Sequence, residues 1–184
     1  MACRISHIAY RVSRVAYRVT HHVSRHSPFA IRHSLSAMYT HAPPNYICPF
    51  CLVARQIKNE NVYTVDGDIA YRTESITAMI SSHQWANNHG HVIIIPNEHY
   101  ENIYDLPIHF AAKIHEAAQK IALAMKAAYR CDGISTRQHN EPAGNQDVWH
   151  YHLHVFPRYH NDNLYTTPRG GVMPAKNGQD MPNG

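Results

Sequence analysis

Acidic residues are missing from one end of this chain. No aspartate or glutamate precedes Glu60, while Arg4, Arg11, Arg14, Arg18, Arg25 and Arg32 all lie in that stretch. Also missing is any apolar run near the ~18 residues that a membrane span needs, which excludes a spanning helix. Cysteine is sparse, four in 184 residues. Nothing resembles a secretory signal, so a disulfide framework is not expected and the expected compartment is cytoplasmic. A strong charge of either sign is absent too: the formal net charge is +4. That mild excess does not imply nucleic acid and fits small anionic ligands. The expected partner is a small molecule, with neither nucleic acid nor a membrane.

What is present is ordinary in bulk. With 44% hydrophobic and 16% charged residues, the composition is that of a globular domain, and the length suits one domain with tails. Residues 1–44 read as a basic tail that repeats itself, Ala9-Tyr10-Arg11-Val12 and then Ala16-Tyr17-Arg18-Val19. Its Arg/Ser-rich composition is that of a transit peptide. The repeat has no clean amphipathic pattern and few strong helix formers, so a disordered tail, or sequence ahead of a true start at Met38, is the expectation adopted. Residues 164–184 are rich in Pro and Gly and read as a second tail. The domain proper is expected over 45–163.

Within it, Val62–Val65, Asp66-Gly67 and Ile69–Tyr71 read as a hairpin with a D-G turn. Strands are expected at Ile76–Ile80 and at His91–Ile95, the latter buried and ended by Pro96. Ser81–Gly90 reads as a polar loop. From Leu106 to Arg130 apolar residues step by three and four (Ile108, Ala111, Ile114, Ala118, Ile121, Met125, Ala128), which predicts one long amphipathic helix. Ile134–His139 is a further strand. The fold class is α+β, a mostly antiparallel sheet with one helix packed on it.

The most informative segment is His150-Tyr151-His152-Leu153-His154-Val155-Phe156-Pro157-Arg158. Histidine at every second position is the period of a strand, so the three imidazoles share one face. Three imidazoles are costly to place in a core; they suit a metal site, a phosphate site or nucleophilic catalysis. Cys48 and Cys51 form a C-x-x-C ahead of every recognisable strand. A redox pair would follow a strand and open a helix, so half of a metal site is the better reading.

The histidine strand matches H-φ-H-φ-H-φ-φ, with φ apolar, and from roughly Tyr46 to Asn163 the chain resembles the histidine-triad (HIT) superfamily. Gly90-His91-Val92-Ile93-Ile94-Ile95-Pro96 is similar to the family's P-G-H-x-x-x-x-P strand, with His89 in place of the proline. Ala143-Gly144-Asn145-Gln146 is similar to its A-G-Q loop. Val155-Phe156-Pro157-Arg158 resembles the ending of Fhit-type and bacterial HIT hydrolases. The resemblance implies that His152 is a nucleophile toward an α-phosphate, that His154 assists phosphate binding and proton traffic, and that Gln146 bonds a phosphate or leaving oxygen. It gives His91 an orienting role. Asn140 and Trp85 complete the expected substrate contacts, Trp85 by stacking on a base. Some members carry a structural zinc, and here the matching residues are Cys48, Cys51, His99 and His150, so that His150 has a second possible role besides the catalytic triad. One departure concerns the ribose loop: His83 stands eight positions before His91, where many members have Asn or Asp.

These expectations converge on a nucleotide phosphohydrolase that cleaves a dinucleoside polyphosphate or a nucleoside phosphoramidate through a nucleotidyl-histidine intermediate. Histidine at the third triad position favours hydrolysis over nucleotidyl transfer, where glutamine is typical. The alternatives are a transferase using the same intermediate, a metal-binding module without catalysis, and a nucleotide-binding protein of slow turnover. Family members are commonly homodimers, though the sequence marks no dimer surface.

Overall fold

The computed structural model describes residues 39–60, 62–85, 88–166 and the backbone of 169–172. The expectations for residues 1–38 and 173–184 fall outside them. The chain divides at Thr40, and the elements below all belong to His41–Gly184. In chain order they are α1 (Pro49–Ala54), β1 (Ile69–Arg72), β2 (Ile76–Ile80), β3 (His83–Trp85), β4 (Val92–Pro96), α2 (Ile108–Tyr129), β5 (Gly133–Gln138), β6 (Leu153–Arg158) and β7 (Arg169–Val172).

Five strands form one sheet in the order β1-β2-β4-β6-β5, every neighbour antiparallel. Helix α2 covers one face. Phe110, Ile114, Ala117, Ala118, Ile121 and Met125 are the residues it buries. They meet Ile76, Ala78, Val92, Ile94, Leu153 and Val155, alternate residues of β2, β4 and β6. Burying an aliphatic or aromatic side chain of this size contributes about 1.5–3 kcal/mol, so this layer holds the sheet flat against the helix. The helix ends at Tyr129, with Arg130 left-handed at φ 50°.

The other face has a smaller apolar cluster, in which Met79, Ile93 and Ile95 pack with Val53 of α1. β4 is therefore covered on both sides, which is why it reads as an unbroken apolar run. Since Leu153 and Val155 face the helix, His152, His154 and Phe156 must face the other way. The site is thereby fixed to the face opposite α2.

Two local expectations change. Val62–Val65 is not a strand; the D-G segment is a 3-10 turn, Asp66–Asp68, closed by the Asp68 carboxylate accepting from the Val65 N–H at 2.9 Å. The polar loop contains β3, which pairs antiparallel with β7 out of the Pro/Gly-rich end, Trp85 opposite Arg169. At the other end of the domain, the His41 N–H donates to Glu101 Oε1 at 2.6 Å and the His41 ring stacks on Trp149.

Candidate active site and metal centre

Two centres share the stretch from His150 to His154. The first is a cavity of about 200 Å³ lined by Phe50, Val53, Val62, Ile93, Thr64, Ser81, His83, Trp85, His91, Asp147, His152 and His154, among others. Its lining is mostly apolar with a few polar groups, the usual build of a small-molecule site.

His152 is almost wholly buried. Its Nδ1 lies 2.7 Å from the backbone carbonyl of His150. A carbonyl only accepts, so Nδ1 carries the proton and Nε2 keeps its lone pair. Burial pushes the imidazolium form down in pKa, against the opposing pull of that carbonyl and of Asp147, so the ring is held neutral, the form a nucleophile needs. Nε2 stands 3.9 Å from Asp147 Oδ1.

His154 follows by the same logic. The His91 Nδ1 donates to the His83 carbonyl at 3.3 Å, so His91 Nε2 accepts from His154 Nδ1 at 2.9 Å. In a neutral His154 the basic nitrogen is then Nε2. His91 is itself clamped, stacked on Phe156 at 4.1 Å and met edge-on by Trp85 at 5.6 Å. Gly90 makes room for this arrangement. Its φ is +94°, and a Cβ there would meet Tyr129 Cε2 at 2.6 Å, so only glycine fits.

The second centre gathers Cys48, Cys51, His99 and His150, whose donor atoms all lie within 4.8 Å of one another. His150 Nδ1 is 3.3 Å from Cys48 Sγ and 3.5 Å from Cys51 Sγ; His99 Nδ1 is 3.2 Å from Cys51 Sγ. In a tetrahedral site with Zn–S about 2.3 Å and Zn–N about 2.0–2.1 Å, sulfur and nitrogen donors stand about 3.5 Å apart, so the four residues fit such a metal as they are. His150 Nε2 donates to the Pro96 carbonyl at 3.0 Å, which leaves Nδ1 as the ligating nitrogen and fixes the ring. The Cys51 thiol is pushed far down in pKa, first by the hydrogen bond from Cys48 and then by His150 and His99, against burial. A thiolate is the form that ligates metal.

Of the residues expected from sequence, the cavity brings together His152, His154, His91 and Trp85. His150 sits with the cysteines and His99. Gln146 and Asn140 are in neither group. The Gln146 amide donates to the carbonyls of Glu101 and Val148 at 2.6 and 3.1 Å and accepts from the Glu141 N–H at 2.8 Å. With every polar atom committed to backbone, it braces the loop instead of reaching the cavity. Asn140 accepts from the Ile103 N–H at 2.8 Å and exchanges bonds with Gln138; it too is a brace. Two side chains near the chemistry were not anticipated. Asp147 lines the cavity. His139, donating from Nδ1 to the Gly144 carbonyl at 2.6 Å, meets the His154 ring edge-on at 5.4 Å. His139 directly follows β5, whose last residue Gln138 pairs with Leu153, a signal readable only once the strand pairing is known.

Comparison with known proteins agrees with this arrangement. The HIT domain family matches residues 51–161. The chain is 32% identical over 113 residues to the Bacillus subtilis protein hit, covering 61% of this chain and 71% of that one. It is 33% identical over 69 residues to an adenosine 5'-monophosphoramidase of Saccharomyces cerevisiae, covering 38% of this chain and 41% of that one. A crystal structure of a zinc-bound histidine triad family protein from Mycobacterium smegmatis superposes with a TM-score of 0.57 at 26% identity, over 65% of this chain and 81% of that one. With the triad strand, the antiparallel sheet and the matched span in agreement, this chain belongs to the HIT domain family.

Proposed function

We propose that the protein is a nucleotide phosphohydrolase that cleaves at the α-phosphate of a nucleoside phosphoramidate or dinucleoside polyphosphate through a nucleotidyl-His152 intermediate. The observation that carries this is the His152 ring, which lines the cavity with Nδ1 tied to the His150 carbonyl, so that Nε2 keeps its lone pair. The nucleoside occupies the apolar part of the cavity, against Phe50, Val53 and Val62. His152 Nε2 attacks phosphorus and the leaving group departs. His154, held by His91, lies beside the phosphate, its ring centroid 4.7 Å from that of His152, placed to bond the phosphate oxygens and pass protons. Water then attacks the phosphorus, releasing His152 and the nucleoside monophosphate. Splitting one hard displacement into two is what covalent catalysis supplies. The phosphoramidase activity named for the yeast relative supports the class.

The same reading makes the metal zinc, held by Cys48, Cys51, His99 and His150. When bound it supplies no chemistry, being a closed site with four protein ligands; it ties α1 to the strand that carries His152. Replacing His152 tests the function: His152→Asn should lower turnover of an adenosine phosphoramidate by at least about a thousandfold while nucleotide binding persists. A variant retaining more than a few per cent of the wild-type rate contradicts it.

A further inference from the structure

We propose that the protein has a second binding site, for an organic phosphate, in a hollow between the end of α1, the segment that follows it and β1. The hollow measures about 440 Å³, against about 200 Å³ for the cavity beside His152. No triad histidine lines it, while Val53, Val62 and Thr64 line both. It neighbours the catalytic cavity across part of a common wall, and it does not rest on the nucleotidyl-His152 reading.

Its charges call for an anion. Lys58 and Arg72 line it against one carboxylate, Asp66. None of the three is ion-paired among the described residues. Arg72 is the last residue of β1. Its Nη2 donates to the Val53 carbonyl at 3.0 Å, which holds the guanidinium against α1. Its Nε is buried and has no hydrogen-bond partner. An unpartnered N–H on a charged group is costly, because it has given up water and gained no acceptor. An oxyanion in the hollow supplies that acceptor, and a planar guanidinium with several donors matches the oxygens of a phosphate. Lys58, exposed on the segment after α1, adds a second positive charge. Two cations favour a dianion, so a phosphate is preferred to a single carboxylate.

Much of the remaining lining is apolar. Ile57, Val62, Val65 and Ile69 contribute to it, and Ile57 and Val65 are 46% and 52% exposed. Large aliphatic side chains left half in water around one concavity mark a place where an apolar body binds. A bare phosphate ion would meet the cations and leave these side chains in water. A ligand with an apolar ring and a phosphate head satisfies both, and a hollow larger than the catalytic cavity has room for it.

The test is calorimetric titration of the full chain with phenyl phosphate, inorganic phosphate and benzoate, each in saturating AMP to fill the cavity beside His152. Phenyl phosphate should bind once per chain, about tenfold or more tighter than either of the others. Its affinity should fall about tenfold in Arg72→Gln and about threefold in Lys58→Gln, and should rise in Asp66→Asn. Thermal midpoints check folding. Arg72→Gln also removes the bond to Val53, so Lys58→Gln and Asp66→Asn, both at exposed positions, carry the test if that variant unfolds. No binding of phenyl phosphate in the presence of AMP, or binding that these variants leave unchanged, overturns the proposal. Equal affinity for inorganic phosphate or for benzoate overturns the assignment to an organic phosphate. Turnover of an adenosine phosphoramidate by Lys58→Gln, measured without phenyl phosphate, should equal that of the wild type; a large loss would place Lys58 in the catalytic site and also overturn the proposal. A chain that binds phenyl phosphate with these variant effects but binds no AMP upholds this site and contradicts the nucleotide reading of the other.

Discussion

The carbonyl oxygen of His150 accepts the proton of His152 Nδ1 at 2.7 Å, so one residue serves both centres. The side chain of His150 faces the two cysteines, while its backbone fixes the tautomer of His152, the proposed nucleophile. The candidate metal centre and the cavity meet at a single peptide unit.

Loss of the metal should therefore reach the chemistry. Protein purified without chelator is expected to hold about one zinc per chain. Cys48→Ser/Cys51→Ser should hold none, lose at least about 10 °C in thermal midpoint, and turn over far more slowly, since a structural zinc is folding free energy. Metal content by emission spectrometry and a thermal scan check this. Equal metal content and midpoint in both proteins would show that no such site forms.

Stability should fall in acid through Asp162. Its buried carboxylate accepts from Arg158 Nε and Nη2 at 2.7 Å, from the Tyr159 and Leu164 N–H groups at 3.1 Å, and from Asn88 Nδ2 at 3.0 Å. Arg158 above all holds it well below the usual carboxylate range, with the backbone donors adding to this. A carboxylate depressed in the folded state stabilises fully above its unfolded pKa of about 3.9 and loses that contribution as pH falls below it. Asp162→Asn should cost about 3 kcal/mol at pH 7 and flatten the acid limb of stability below about pH 4. Urea titrations at several pH values check both effects.

Gly90→Ala should destabilise by about 2–3 kcal/mol, because a positive φ and the collision with Tyr129 add. Because His91 follows directly and holds His154, turnover should fall further than the folded fraction does. Denaturation and kcat measured on the same sample separate the two effects.

Much of this was legible in the residues. The three-and-four stepping fixes α2 because one stripe must cover the sheet, and the alternation of His152, Leu153, His154 and Val155 assigns each to its face. The triad and Cys48, Cys51, His99 and His150 could be named together only because their order resembles a family; spacing alone does not bring residues some fifty to a hundred apart into contact. The loops were less legible. Gln146 and Asn140 are amides that serve backbone or ligand equally well, and only the fold decides which. The D-G segment carries the same turn chemistry in a hairpin as in a 3-10 turn. The β3–β7 pair depends on a contact between distant segments that no local pattern encodes. Asp147 belongs to no motif of the sequence, and only the fold brings it to the cavity.

Covalent capture tests the central claim most directly. Protein mixed with an adenosine phosphoramidate and quenched without acid should gain the mass of one adenylyl group, placed on His152 by peptide mapping and absent from His152→Asn. An adduct on another residue, or turnover by wild-type protein with no adduct under conditions that slow the water step, would contradict it.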